Sequence, residues 1–486
     1  MFREVLMAFY LGAGLVADAF IVAQRLPNMF RNLVAEGAFN ASFVPSFSQL
    51  LHQQGQEQAK LFAERLQTLM VTGLLLFISV LQIGMPWLIG IIAPGYADTP
   101  EKINLSSQLS QITLPYLIFM FLTALQSGIL YSLNRFAVAT LAPILLNISL
   151  IFALYFLVPG SSQPGLVLAW TLFVSGILQF LITGFFCYRA KFSLYFVYPR
   201  FTPEIKAFFK KMLPGFVGAG VTQINLLVGT IIATWQDSAV SYLYYADRVY
   251  QLPLALLGTA AGTALLPMLS QALAKQDKNR ANNLQEQGLF LSLMLGIPAT
   301  IALIIIPYPI VNLLFERGQF THADALETSL ALQILSVGLP AYLWVKSLLP
   351  CFYARHNTKT PFHIALVCVA INMVLNLALF PWIGFIGIAV ATVAASFANG
   401  IMLYLQAKKR GYFELSKKLK KNIGKMCLSG ALMGVMIALF SGYVVWPVSL
   451  WGRFLYLLVI IISAALVYFA CLFLMGVISW SRRTIR

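Results

Sequence analysis

Apolar runs broken by short polar turns recur along the whole chain. Fourteen segments stand out, at roughly 1–13, 15–50, 66–93, 106–133, 137–158, 164–188, 208–235, 239–271, 284–314, 325–353, 361–380, 385–407, 423–446 and 451–479. A membrane-crossing helix needs about 20 apolar residues. The pattern therefore predicts an all-α polytopic membrane protein with about 14 transmembrane helices. Segment 1 is short for a span. Segments 2 and 8 are long, and each carries two prolines (Pro27 and Pro45; Pro253 and Pro267), so bends or interfacial extensions are expected there.

The pattern also repeats. Shifted by 222 positions, PSFSQ (45–49) meets PMLSQ (267–271), APGY (93–96) meets FERG (315–318), QIT (111–113) meets QIL (333–335), and LYS (130–132) meets FYA (352–354). The period is six spans, an even number, so the halves run in the same direction as a parallel repeat. The expected organisation is an N-lobe over 1–190, a C-lobe over 200–410, and two further spans over 420–486. Segment 7 starts near Lys206, and the same shift puts the start of segment 1 before residue 1. The repeat logic thus expects roughly the first half of helix 1, about 15–20 residues, to be missing. The opening residues have no basic n-region, no cleavage site and too short an apolar run for a signal peptide.

Composition agrees with this reading. Mean hydropathy is +0.81, with 59% hydrophobic and 10% charged residues. The net charge of +17 raises nucleic acid as a partner, but the cations collect in alternate loops without interleaved exposed aromatics. Twenty-five Lys and Arg fall in or near one set of connections, from Lys60 and Arg65 to the 408–425 run and Arg482, Arg483 and Arg486. Only Lys102, Arg317 and Arg453 fall in the other set. That asymmetry places the first set and both termini in the cytoplasm, and no nucleic-acid partner is expected. The five cysteines and four histidines are scattered, with no disulfide framework or metal-ligand spacing.

The remaining ionisable groups lie inside apolar segments. They are Arg3, Glu4, Asp18, Arg25, Arg31, Glu36, Asp247, Arg248 and Lys346. Near the bilayer centre such a group costs about 2.5–3.5 kcal/mol on insertion scales, so each is expected to face a partner or water. All but Lys346 belong to segments 1, 2 and 8, and the repeat makes segments 2 and 8 equivalent. A polar lining between the two halves, the usual place for a carrier's site, is the expectation. At about 100° per residue Asp18, Arg25, Asn32 and Glu36 fall on one helical stripe, with Asn28 beside it and Arg31 further round. Arginine's planar fork suits phosphate oxygens and stays charged when buried. Arg3, Arg31 and Arg248 converging would suit a phosphate or diphosphate. The structural alternative is internal ion pairing, such as Asp18 with Arg25, or Asp247 with a base from the other half. For Lys346 near the end of segment 10, snorkelling and function both stay open. The 408–425 run reads as a solvated face touching anionic headgroups of membrane lipids. Gly-rich stretches such as GAG (12–14) read as sites of close helix packing.

No GxxxxGK[ST] loop, Asp-rich Mg²⁺ cluster or Ser/His/Asp arrangement occurs. A secondary carrier rather than an enzyme is expected, with no cofactor and with its energy drawn from a gradient, the membrane potential or substrate supply.

VADAFIVAQRLPNMFRNLVAEGAFNASFVP (16–45), APGYAD (93–98), LLNIS (145–149) and YYADRVYQLP (244–253) resemble the MurJ (MviN) family, lipid II flippases of the multidrug/oligosaccharidyl-lipid/polysaccharide exporter superfamily. The resemblance covers essentially the whole chain. It implies two six-helix lobes plus two extra helices that form a groove for a polyprenyl tail. The substrate it implies is undecaprenyl-diphosphate-linked disaccharide-pentapeptide, carried by alternating access in the bacterial inner membrane. It makes the cell-wall synthesis machinery a candidate partner. Family cavity arginines match Arg3, Arg31 and Arg248; the acidic residue at the outer start of span 2 matches Asp18; Asn28 and Glu36 also fall on family positions. Arg25, Asp247 and Lys346 complete the candidate set from their position within the spans. A further family arginine lies upstream of residue 1. The competing readings are an O-antigen or other polysaccharide-unit flippase, a drug/cation antiporter, which would want acidic cavity groups, and a membrane scaffold, which would not need costly charges clustered on repeat-related spans.

Overall fold

In the computed structural model residues 1–33, 39–443 and 446–478 are described. Within them the regular structure is all helical, without strands. Among the described residues nine helices are long and apolar enough to cross a membrane, or up to eleven if each of two bent pairs counts as one span. Large apolar side chains face outward along them, with Leu76 at 70% exposure and Ile83 at 87%. A surface of that kind is solvated by lipid rather than water, and the chain is a multi-pass membrane protein.

The chain forms two compact units, Met1–Ser241 with Gly318–Phe320, and Tyr242–Arg317 with Thr321–Arg486. Unit 1 begins with α1 (Phe2–Leu11), α2 (Leu15–Leu33) and α3 (Phe39–Gln54). Long segment 2 is helical on both sides of residues 34–38, which lie outside the described residues, with Pro27 inside α2 and Pro45 inside α3. Next come α4 (Gln56–Ile83), α5 (Met85–Ile92), a 3₁₀ turn at Pro94–Tyr96, α6 (Pro100–Thr113) and α7 (Tyr116–Ser132). α8 (Phe136–Ala139) leads to α9 (Leu141–Phe152), which runs on as a π-turn over Ala153–Leu157; α10 (Pro164–Arg189) and α11 (Pro203–Ala233) follow. Its core joins α3, α4, α7 and α11 through stacked and edge-on rings. Phe39 lies 5.3 Å from Phe43, 5.2 Å from Phe121 and 5.6 Å from Phe208. Such pairs add a fraction of a kcal/mol to about 1.5 kcal/mol each beyond burial.

Between α10 and α11, residues 192–202 have no regular structure and lie along α4. The backbone N–H of Tyr195 donates to Glu64 Oε1 at 3.1 Å, and that of Val197 to Thr68 Oγ1 at 3.1 Å. Glu64 and Thr68 sit one helical turn apart, so two side chains on α4 satisfy an extended strap.

The helix α12 (Ala239–Ala274) starts in unit 1 and continues into unit 2. Unit 2 then has α13 (Lys278–Ile305), α14 (Pro307–Phe315), α15 (His322–Val337), α16 (Leu339–Tyr353), α17 (Lys359–Ile383), α18 (Phe385–Lys409), α19 (Lys417–Tyr443) and α20 (Leu450–Leu474). Its core is aliphatic, with Leu289, Leu293 and Ile297 of α13 against Met426, Met433 and Ile437 of α19 and Leu457 and Ile460 of α20. Gly430 and Gly434 let α19 approach α13 closely, since a Cβ at either would press on Ile301. At one end of unit 2, Arg453 Nη1 of α20 donates to Asn312 Oδ1 of α14 at 3.0 Å.

Candidate functional site

α1 ends at Gly12, whose φ of 64° lies in the left-handed region that glycine adopts without strain. The chain reverses there and α2 begins. One turn into α2, Asp18 is fully buried. Its Oδ1 accepts the Ser241 hydroxyl at 2.5 Å and the Ser241 N–H at 3.1 Å; its Oδ2 accepts the Ser238 N–H at 3.1 Å and Lys102 Nζ at 3.3 Å. Asp18 thus supplies, from another helix, the cap for the first turn of α12.

Lys102, on the first turn of α6, is 5% exposed and also donates to Asp237 Oδ1 at 2.7 Å. Its ammonium stands 5.0 Å from the centre of the Tyr96 ring. Tyr96 is buried in the turn between α5 and α6, and that burial, with Asp18 and Asp237 nearby, pushes its hydroxyl well above the usual phenol range. The structure therefore pairs Asp18 with Lys102, where the sequence suggested Arg25. Lys102 looked like a loop charge because it sits at a turn between apolar segments, yet α6 turns its side chain inward.

The other candidates in unit 1 occupy separate places. Arg3 pairs with its neighbour Glu4 and donates to Asn147 Oδ1 of α9 at 3.0 Å. Arg25, Asn28 and Arg31 are half-buried on α2. Arg31 Nε has no hydrogen-bond partner among the described residues, and its charge reaches the buried Tyr116 of α7. Asn32 Nδ2 donates to Gln223 Oε1 of α11 at 3.4 Å. Glu36 lies outside the described residues.

In unit 2, Arg248 stacks its guanidinium 4.6 Å from the Tyr244 ring centre. One position earlier, Asp247 accepts a hydrogen bond from Gln251 and lies within electrostatic reach of the Tyr250 and Tyr342 hydroxyls. Exposed Lys346 sits one turn along from Tyr342, with its ammonium 5.6 Å from that ring. Asp247 and Lys346 thus share Tyr342 as a neighbour. Among the described residues no group of three His, Cys, Asp or Glu could hold a metal ion.

Sequence reasoning missed Lys102, Asp237, Ser238 and Ser241 as members of the Asp18 cluster. No signal in the sequence marks them, because Asp237, Ser238 and Ser241 reach the cluster from more than 200 positions beyond Asp18.

A family model described as lipid II flippase MurJ matches residues 7–464. A probable lipid II flippase MurJ of Rhizobium meliloti is 39% identical over 100% of this chain and 92% of its own length. The lipid II flippase MurJ of Burkholderia cenocepacia is 33% identical over 85% of this chain and 81% of its own length. Among solved structures, lipid II flippase MurJ in an inward closed conformation superposes with a TM-score of 0.83, at 27% identity, over 97% of this chain and 94% of the other. An inward-facing multidrug resistance MATE family transporter of the MOP superfamily superposes at 0.70 with 14% identity, over 86% of this chain and 95% of the other, a likeness of fold alone.

Proposed function

The chain belongs to the lipid II flippase MurJ family, and from that premise we propose that it carries undecaprenyl-diphosphate-linked disaccharide-pentapeptide from the inner to the outer leaflet of the bacterial inner membrane. The observation that carries this reading is the family match along nearly the full length, which includes the charged stretch 16–33. The protein acts as a transporter and makes or breaks no covalent bond. Both termini lie in the cytoplasm, a reading supported by 25 loop cations against three.

The headgroup's diphosphate is the part that needs protein charge, and Arg3, Arg31 and Arg248 are its proposed ligands. A guanidinium holds two phosphate oxygens at once, and it does so most strongly where water is scarce. Arg31 is the best placed of the three within its own unit, being half-buried with Nε uncommitted among the described residues. Transport proceeds by alternating access: the headgroup enters from the inside, the protein changes conformation, and the headgroup leaves outside while its tail stays in lipid.

The test is depletion of the protein in its host, followed by an outside-acting enzyme that cleaves lipid-linked precursor. Precursor that accumulates protected on the inner side supports the reading. Unchanged arrival at the outer leaflet would overturn it and favour a polysaccharide-unit or drug carrier.

A further inference from the structure

Within unit 1 the starts of α2, α6 and α10 enclose an open cleft of about 590 Å³. Its polar lining is Glu101, Asn104 and Gln108 of α6, with Ser162 and Gln163 from the turn before α10. Positions 101, 104 and 108 fall on one helical face. All five side chains are exposed, and none takes part in a hydrogen bond or ion pair among the described residues. Val16, Leu105 and Leu166 supply an aliphatic floor. Gly165 lets that floor close, since a Cβ there would stand 3.2 Å from Val16 and 3.4 Å from Leu109. The turn is fixed by its own backbone: the Ser161 N–H donates to the Val158 carbonyl at 3.0 Å, and the Gln163 N–H to Ser161 Oγ at 3.1 Å. Small-molecule sites are typically preformed hollows of roughly 300–1,000 Å³ with a few convergent polar groups.

The repeat shows that the position itself does not demand this polar lining. Shifted by 222, Glu101, Asn104 and Gln108 fall on Ala323, Leu326 and Leu330 of α15. Leu326 and Leu330 are exposed as well, at 49% and 38%. One copy of the helix thus presents planar polar groups where the other presents aliphatic ones. Polar side chains in a membrane protein carry a desolvation cost that leucine does not, so the set in unit 1 points to a partner that leucine could not serve. The lining also defines that partner's chemistry. No lysine or arginine lines the cleft, because Lys102 turns inward to Asp18, and a phosphate or carboxylate finds no counter-charge there. Asn104, Gln108 and Gln163 each offer a donor and an acceptor side by side, which complements an amide, and Glu101 accepts from hydroxyls. The aliphatic floor suits a methyl group. An uncharged, hydroxyl-rich ring with an acetamido substituent meets all of these conditions.

We propose that this cleft binds an N-acetylated amino sugar, with the carboxamides of Asn104, Gln108 and Gln163 on the acetamido group and Glu101 on ring hydroxyls. Two sources carry that chemistry: the disaccharide of the proposed substrate as its headgroup leaves the protein, and glycan already on the outer face. The link to either source rests on the flippase reading above, in which this end is the outer one. The sugar chemistry rests on the lining alone.

The experiment uses the full chain in phospholipid nanodiscs and titrates N,N′-diacetylchitobiose by saturation-transfer NMR, with maltose as the sugar that lacks acetamido groups. Saturation of the chitobiose acetamido methyls, and little of maltose, is expected in the parent. The double variant Asn104→Leu/Gln108→Leu installs the residues of unit 2. It should raise the dissociation constant at least ~10-fold, as two lost hydrogen bonds would, with an unchanged thermal midpoint. Glu101→Gln keeps the shape and weakens one acceptor; it should fall between, and it serves if the double variant fails to fold. No transfer to chitobiose in the parent, equal transfer to maltose, or equal dissociation constants in the parent and a folded variant would overturn the site. The same variants in vesicles separate the sources. Slower arrival of lipid II at the far leaflet assigns the cleft to the departing headgroup, and an unchanged rate with weakened sugar binding assigns it to outer-face glycan. A parent that moves no lipid II would sink the flippase reading, and the dissociation constants would still decide the sugar site.

Discussion

Asp18 and Ser241, 223 positions apart in the chain, are joined twice: the carboxylate accepts the serine hydroxyl at 2.5 Å and the serine backbone N–H at 3.1 Å. The same carboxylate faces Lys102 at 3.3 Å with no water access of its own. Removing Asp18 leaves Lys102 with Asp237 alone and takes the acceptor from the Ser238 and Ser241 N–H groups and the Ser241 hydroxyl, and a buried donor left unsatisfied costs about 1–3 kcal/mol. Asp18→Ala is therefore expected to lower the thermal midpoint in detergent strongly. Asp18→Asn, which keeps an acceptor for Ser241 but loses the charge, should fall between. Equal midpoints for the alanine variant and the parent would show that the cluster carries no stability.

Gly95 offers a test of the backbone contact without touching a charge. Gly95→Ala must push the Thr234 carbonyl away and stretch the N–H bond to its hydroxyl. Strain of this kind typically costs about 1–3 kcal/mol. Gly90, five residues earlier in α5, has no neighbouring atom in reach of a Cβ. Gly90→Ala should be neutral or stabilising by up to about 1 kcal/mol, as expected for a helix interior. The measurement is the pair of thermal midpoints, and a harmless Gly95→Ala would contradict the close approach.

The spans were legible because lipid imposes long apolar runs, and α2 and α3 carry Pro27 and Pro45 within their helices. The costly charges on α1, α2 and α12 were legible for the same reason. What could not be read was direction. Whether Lys102 at the end of a span turns toward water or toward Asp18 depends on how α6 packs on α2, and no local pattern encodes that. The strap at 192–202 was equally hidden, because its backbone donors are met by Glu64 and Thr68 on a distant helix.

That strap carries a prediction. Tyr195, Phe196, Tyr198 and Phe201 are all exposed, between α10 and α11, which are long and apolar enough to span a membrane, α10 alone and α11 as a bent pair. Backbone without helical bonds is excluded from the hydrocarbon core, while tyrosine and its neighbours favour the headgroup level. Arg189, Lys191 and Arg200 flank the rings. A nitroxide attached through Tyr198→Cys, with Cys427 and Cys471 changed to serine, should show collision rates with oxygen and with a polar nickel complex that are both intermediate, as at a bilayer interface. High nickel and low oxygen accessibility would place the strap in bulk water instead.

Arg31 separates charge from geometry at the proposed diphosphate site. Its Nε makes no hydrogen bond among the described residues, so substitution breaks no described hydrogen bond at that atom. Arg31→Lys keeps the positive charge but loses the two-pronged fork; Arg31→Gln loses both. A charge-assisted hydrogen bond contributes about 1.5–3 kcal/mol, or roughly 10- to 150-fold in rate if it is made only in the transport transition state. Purified protein in vesicles, scored by arrival of lipid II at the far leaflet, should therefore transport about ten-fold more slowly with Arg31→Lys and at least about a hundred-fold more slowly with Arg31→Gln. The thermal midpoint of both should stay within a few degrees of the parent. Lost transport with an unchanged midpoint marks a ligand of the substrate. Full transport by Arg31→Gln would remove Arg31 from the site, and a collapsed midpoint would make it a structural residue.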